Sequence, residues 1–271
     1  MFSIFQETFM MNALILGMAL AITAALLSPF LVLSNQAMIA DGLSHVAFTG
    51  MIVGFLCSEQ PLYFAIPFVV VASFAITALS DKVKINNDAA ISVVASFSLA
   101  IGLIIATVSS GFNRSIESLL VGSILSVSYT DIVYVLLLLG FTILFVYFQY
   151  RSLLSMTFDF DYATFSKVHT MLLRYSLSAI SALFVVIGVR SVGTLLISAF
   201  MVFPALIASL VCVSFKRVLI FGIVVSMLSV FFGMVVAYYL GYPTGSSIVV
   251  VFTLGLLVAY LVKVVKGKKV I

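Results

Sequence analysis

Charge is what this sequence has least of. Only 8% of its 271 residues are Asp, Glu, Lys or Arg, where a soluble domain carries about a quarter. Hydrophobic residues make up 64% of the chain, and the mean hydropathy is +1.34. That balance excludes an ordinary soluble enzyme and predicts a polytopic membrane protein. The surplus of four positive charges lies in short loops and a tail rather than on one broad face, so no nucleic-acid partner is expected.

Signatures of covalent chemistry are missing as well. Gly267-Lys268-Lys269 lacks the Ser or Thr and the upstream glycine of a phosphate cradle, and no GxSxG elbow, HExxH helix or CxxC pair occurs. The chain is therefore not expected to be an enzyme, and any energy source must be an ion gradient or a separate subunit. Two cysteines, Cys57 and Cys212, build no disulfide framework. The first ten residues have no basic n-region, and the apolar run over 12–33 is long enough to span, so no cleavable signal peptide is expected.

What the chain has in abundance is apolar runs. A helix needs about 20 apolar residues to cross the hydrocarbon core, and runs of that kind predict helices over 12–33, 38–57, 61–80, 89–109, 130–150, 171–188, 193–213, 218–240 and 246–264. The expected fold is all-α, with about nine transmembrane helices. In this arrangement Lys82, Lys84, Arg151, Lys167, Arg174, Lys216, Arg217, Lys263, Lys266, Lys268 and Lys269 fall on one side, while Arg114 and Arg190 fall on the other. The positive-inside rule makes the crowded side cytoplasmic, with the N-terminus outside and the C-terminus inside.

Three stretches are not simple spans. The turn Ser34-Asn35-Gln36 carries no basic residue and leads directly into the second span. Between Ser109 and Tyr129 the apolar run is too short and too polar at its flanks to cross, which predicts an outer re-entrant or surface segment. The stretch from Arg151 to Thr170 is predicted to be the largest cytoplasmic loop. Within it, Thr157 or Asp159 can cap a short helix running through Ala163 and Lys167. Phe158, Phe160 and Tyr162 would give that helix either a docking surface or an interfacial, lipid-resting face.

The second span carries the chemistry. Asp41 is the one acid placed well inside an apolar run, and His45, one of two histidines, follows four residues later. Residues i and i+4 share a helix face, and a carboxylate at the centre of a membrane helix costs about 2.5 to 3.5 kcal/mol unless it faces a cavity or a partner. The pair can converge on one metal cation or relay a proton. Ser44 is expected to make an interhelical hydrogen bond rather than to ligate. His169 reads as a solvated loop residue, and the eleven methionines are too dispersed for a copper path.

Four landmarks in order resemble the permease subunits of bacterial metal-importing ABC transporters of the zinc, manganese and chelated-iron type. They are Ala40-Asp41-Gly42-Leu43-Ser44-His45; Phe158-Asp159 with Ala163; the segment from Gly193 to Ala205 that includes Ser198, Ala199 and Pro204; and Tyr242-Pro243-Thr244-Gly245. The resemblance covers nearly the whole chain, so residues 1–271 are expected to form a single transmembrane permease domain in the inner membrane of a bacterium. It implies a partner set: a second copy of the chain, a cytoplasmic ATP-binding subunit and an extracytoplasmic metal-binding protein. It implies Asp41 and His45 as ligands of a transported divalent ion, Zn²⁺ first and Mn²⁺ or Fe²⁺ after it, with no permanently bound cofactor. It further implies a coupling helix around Phe158, Asp159, Asp161 and Ala163. Two departures stand out, the missing arginines before Asp41 and Ser123 in place of an acid. The competing reading is a proton-coupled secondary cation transporter.

Overall fold

A computed structural model describes residues 8–57, 60–83, 85–109 and 127–266. Among them the chain forms ten helices and no strand: α1 Thr8–Leu33, α2 Ile39–Cys57, α3 Leu62–Val83, α4 Asn87–Val108, α5 Tyr129–Phe158, α6 Phe160–Phe165, α7 Thr170–Val192, α8 Thr194–Val211, α9 Phe215–Leu240 and α10 Thr244–Lys266. All but α6 are long and apolar enough to cross a membrane, which makes nine candidate spans among the described residues. The all-α, multi-span architecture expected from the apolar runs is therefore present. The proposed outer segment between Ser109 and Tyr129 lies almost entirely outside the described residues.

One boundary differs by two turns. The run expected to stop at 150 continues to Phe158, giving α5 thirty residues and a length of roughly 45 Å against a hydrocarbon core of about 30 Å. The polar residues after Arg151 suggested a loop, but no Gly or Pro interrupts them. Leu153 and Met156, both buried, continue the helix's inward face at i, i+3 spacing. Phe158 thus ends the long helix instead of standing on the short one.

Burial divides the helices into inner and outer. In α1 and α2, 72% of the spanning stretch is buried, against 28% in α4 and 17% in α10. α1, apolar on every face, packs against α5, α8 and α9, and α2 gathers α3, α4, α7 and α8 around itself. α10 closes on α8 and α9. Pro204 removes a donor within α8, and the next amide, Ala205 N, donates to Ser28 Oγ of α1 at 3.2 Å. A hydroxyl from a neighbouring helix thus takes up a backbone donor at the proline break, as the lipid interior requires.

The two ends of the bundle are chemically distinct. At one, Phe215 of α9 meets Phe30 of α1, Tyr150 and Phe158 of α5, with ring centroids 5.1, 6.3 and 5.8 Å apart. Among the described basic residues, Lys82, Lys167, Arg174, Lys216, Arg217 and Lys263 lie in or beside terminal turns on this side and Arg151 two turns before the end of α5, so we call it the basic end. At the other, Arg190 Nε lies 3.6 Å from Asp131 Oδ1. The start of α5 and the end of α7 therefore meet there. Gly193 alone joins α7 to α8, with φ 89° and ψ 165°, a backbone region open essentially only to glycine.

Small residues set the helix spacing. A Cβ on Gly233 of α9 would sit 2.6 Å from Ile248 Cα of α10, whereas one on Gly140 of α5 would meet nothing within 4 Å. Gly233→Ala should force two backbones apart and cost roughly 1–3 kcal/mol. Gly140→Ala should be neutral or slightly stabilising. Thermal unfolding of the two variants in detergent, compared with the parent, checks both.

Candidate functional site

Asp41 stands in the first turn of α2 and His45 one turn later. Their side chains meet as the i, i+4 spacing predicts, His45 Nε2 lying 3.9 Å from Asp41 Oδ2. Neither is sunk in the bundle. The side chains are 34% and 49% exposed and line a groove of about 190 Å³ between α2 and α4, whose far wall is Ile91, Ser92, Ala95, Ser96 and Leu99. A pair that served only to tie helices together would be enclosed; this one opens onto the groove.

The groove exists because α4 comes very close to α2. A Cβ on Gly42 would fall 2.3 Å from Ile91 Cγ2, and one on Gly102 would fall 2.4 Å from Thr49 Oγ1. At the second contact Thr49 Oγ1 donates to Ser98 O at 2.7 Å. The fit brings Ser92 and Ser96, themselves i and i+4 on α4, into the same groove as the acid and the imidazole. Sequence reasoning missed these two serines. The signal was a pair of hydroxyls one turn apart in an apolar helix, too common to stand out without knowing which helix faces α2.

Ser44 does not reach across to a neighbour as expected. Its hydroxyl donates back to Ala40 O within α2 at 2.6 Å, the usual way a helical serine satisfies itself. Among the described residues His45 Nδ1 is buried without a hydrogen-bond partner. No group of three or more His, Cys, Asp or Glu side chains converges among the described residues. One copy of the chain therefore offers two strong ligands, short of the four that a closed tetrahedral site takes.

The second predicted feature lies at the basic end. Asp159 closes α5 and opens α6, its Oδ1 accepting from Tyr162 N at 2.9 Å, so of the two expected caps Asp159 is the one used. The helix runs only to Phe165. It ends in a Schellman motif, with Val168 N donating to Ala163 O and Lys167 N to Thr164 O, both at 3.1 Å. Lys167 takes the left-handed position at φ 59°, so it terminates the helix instead of lying on it. Ala163 is fully buried beneath a helix that packs on α5 and α7. Asp161, Phe160, Tyr162 and Phe165 are exposed. His169 is exposed just before α7 and makes no cap hydrogen bond.

The profile of the ABC 3 transport family matches residues 6–263. The chain belongs to that family. This ABC 3 chain is similar to the chelated iron transport system membrane protein YfeD of Yersinia pestis, at 25% identity over 98% of this chain and 90% of the relative. It is also similar to the manganese import system permease protein ScaB of Streptococcus parasanguinis, at 29% identity over 95% of this chain and 91% of the relative. Among solved structures it resembles PsaBC from Streptococcus pneumoniae in complex with Fab, with a TM-score of 0.82, 26% identity and coverage of 95% of this chain and 92% of that one. As an ABC 3 protein it is a multi-pass membrane permease subunit.

The capping role of Asp159 is open to a direct check. Asp159→Ala should speed hydrogen exchange at the Tyr162 amide roughly five-fold, the equivalent of about 1 kcal/mol lost from the start of α6. Asp159→Asn, which caps as well, should leave exchange near the parental rate.

Proposed function

We propose that this permease carries a divalent first-row transition-metal ion across the bacterial cytoplasmic membrane, with Asp41 and His45 as its transient ligands. The observation that supports this most is the open groove that presents both side chains together. One copy supplies one oxygen and one nitrogen donor, so two copies related by a two-fold axis would supply two of each. Both ligands are borderline or hard, and neither wall of the groove carries a thiolate. Ligand softness alone favours Zn²⁺. The hydroxyls of Ser92 and Ser96 and the space beside them favour an ion that keeps oxygen donors and water, Mn²⁺ or Fe²⁺, and the printed names of the relatives point the same way.

The basic end is cytoplasmic in this reading, which turns α6 toward a separate ATP-hydrolysing subunit. Asp159 and Ala163 then build the docking helix, one by capping it and one by seating it. Asp161, with Tyr162, faces the partner, and Phe158 anchors the adjoining end of α5 edge-on against Phe215. An extracytoplasmic metal-binding protein would deliver the ion at the opposite end. The ion is held by two ligands per copy, enough to admit it and few enough to release it.

Uptake of Mn²⁺, Fe²⁺ and Zn²⁺ into cells carrying the parent, Asp41→Ala or His45→Ala tests the site. Loss of even an outer-shell partner costs about 10- to 100-fold in metal affinity, so removing a ligand should cut uptake at least that far with the chain still in the membrane. Normal uptake by both variants would end the proposal. Uptake that survives ATP depletion but collapses with an uncoupler would replace ATP coupling with proton coupling.

A further inference from the structure

At the basic end one guanidinium ties α3 to the start of α4, one wall of the groove, stands by a ring of the docking helix, and through Asn87 reaches the turn that leads into the other wall. Arg174, early in α7, is ion-paired through Nη1 with Asp81 Oδ1 at the end of α3. Its Nη2 donates to Asn87 Oδ1 at 2.9 Å and to Ser80 Oγ at 3.3 Å. Asn87 is the first residue of α4, and its Nδ2 donates to Ser34 O in the turn between α1 and α2 at 2.9 Å. The guanidinium carbon stands 6.0 Å from the centre of the Phe160 ring on α6, within reach of a cation–π contact.

The cluster is not a surface ion pair of the weak kind. The Arg174 and Asp81 side chains are only 19% and 14% exposed, and among the described residues Asp81 Oδ2 is buried with no hydrogen-bond partner. That carboxylate depends on Arg174 for its compensation. Two functions of the fork are used at once, one nitrogen for Asp81 and the other for Asn87, a geometry that a lysine ammonium does not reproduce.

What Arg174 holds is the end of the groove. Asn87 lies one turn before Ile91 and Ser92 on α4, and the Ser34 carbonyl leads through a short turn into Asp41 on α2. Farther along, α2 and α4 are locked by the Gly42 contact with Ile91 and the bond from Thr49 to Ser98, so a shift at their ends moves both walls together. On the other side of Arg174 a cavity of about 330 Å³ separates the turn from α6, lined by Ser34, Gln36, Met156, Phe158, Phe160 and Arg174. Close-packed interiors pass displacement on as rigid shifts, and a cavity of this size leaves α6 room to move against the turn.

The geometry points to Arg174 as the positioning residue that carries movement of α6 to the α2–α4 pair. Through it, the shape of the ion groove follows the state of the docking end. This rests on the proposed reading of α6 as the ATPase-docking element and of Asp41 with His45 as the ion site. Arg174 touches no ion in this scheme. It sets where the two walls stand relative to the helix that a partner would push.

The test uses the assembled transporter, purified by a tag on this chain and reconstituted in vesicles, with Mn²⁺ as the transported probe. Initial uptake against Mn²⁺ concentration and ATP hydrolysis are measured for the parent and for Arg174→Gln, Arg174→Lys, Asn87→Ala, Arg190→Gln and Asp41→Ala. Arg174→Gln and Asn87→Ala should lower the maximal rate roughly ten-fold with KM unchanged, and ions moved per ATP should fall while hydrolysis continues. Arg174→Lys should not restore the parental ratio, and Arg190→Gln, which breaks the pair at the opposite end, should keep it. Parental ions per ATP in Arg174→Gln, or a loss that only tracks the amount of assembled complex, or an equal loss in Arg190→Gln, would overturn the inference. If Asp41→Ala abolishes uptake while Arg174→Gln does not, the inference alone fails. If Asp41→Ala transports normally, the reading of the groove fails and takes the inference with it.

Discussion

The contact on which the functional architecture depends is the approach of α4 to α2 at Gly42. A side chain there would overlap Ile91 Cγ2, at 2.3 Å from the missing Cβ, so only glycine lets the two backbones stand this near without repacking. The approach does three things at once. It brings the hydroxyls of Ser92 and Ser96 to the groove that Asp41 and His45 line. It lets Thr49 bond Ser98 O across the interface. It also makes α2 and α4 a single packed unit, with Asp41 and His45 on one helix and the opposing wall of the groove on the other.

Around that unit, hydroxyl groups do the work that charge does in soluble proteins. Apolar packing gives little preference for helix over lipid, so interhelical hydrogen bonds carry part of the specificity, each worth about 1 kcal/mol. Thr77 Oγ1 donates to Ser178 Oγ at 3.1 Å, and Ser178 Oγ to Ser73 O at 3.2 Å, tying α3 to α7. The Arg174–Asp81 pair joins the same two helices at their basic end. A ladder of polar contacts therefore runs along α3 and α7, strongest where it leaves the apolar zone. Ser28 and Ala205 make the matching tie between α1 and α8, beside Pro29 and Pro204.

The helices were legible because bilayer thickness is a hard ruler: any segment that spans must keep about 20 apolar residues together. Asp41 and His45 were legible as a pair that shares one helix face, although Asp41 stands in the first turn of α2 and not well inside its apolar run. The length of α5 was not, because Arg151 and the serines after it look like loop by polarity while Leu153 and Met156 keep the helix's buried face. The capping of α6 by Asp159 could be read, but its end could not. It rests on a left-handed lysine at 167, where glycine is the usual marker. Arg174 was visible only as one more positive charge fixing topology. Its partners Asp81 and Asn87 are 93 and 87 residues away, and no local pattern announces a contact of that range.

The placement of the polar node links the groove to α6 without direct contact between them. Asp41 and His45 lie within about two turns of the start of α2, and Ile91 and Ser92 lie at a similar depth in α4. Both starts are at the basic end, where α6 also sits. A rigid helix transmits displacement along its axis with little loss over so short a distance, so a shift at either helix start also shifts the wall of the groove. Arg174, through Asn87 and Ser34, reaches both of those starts, and through the ring of Phe160 it also reaches the helix beyond the cavity. The guanidinium, with donors pointing along several directions in one plane, holds α3 and α4, and the Asn87 amide passes the tie on to the turn before α2. Asp81 is the carboxylate paired with that fork, and its side chain is only 14% exposed.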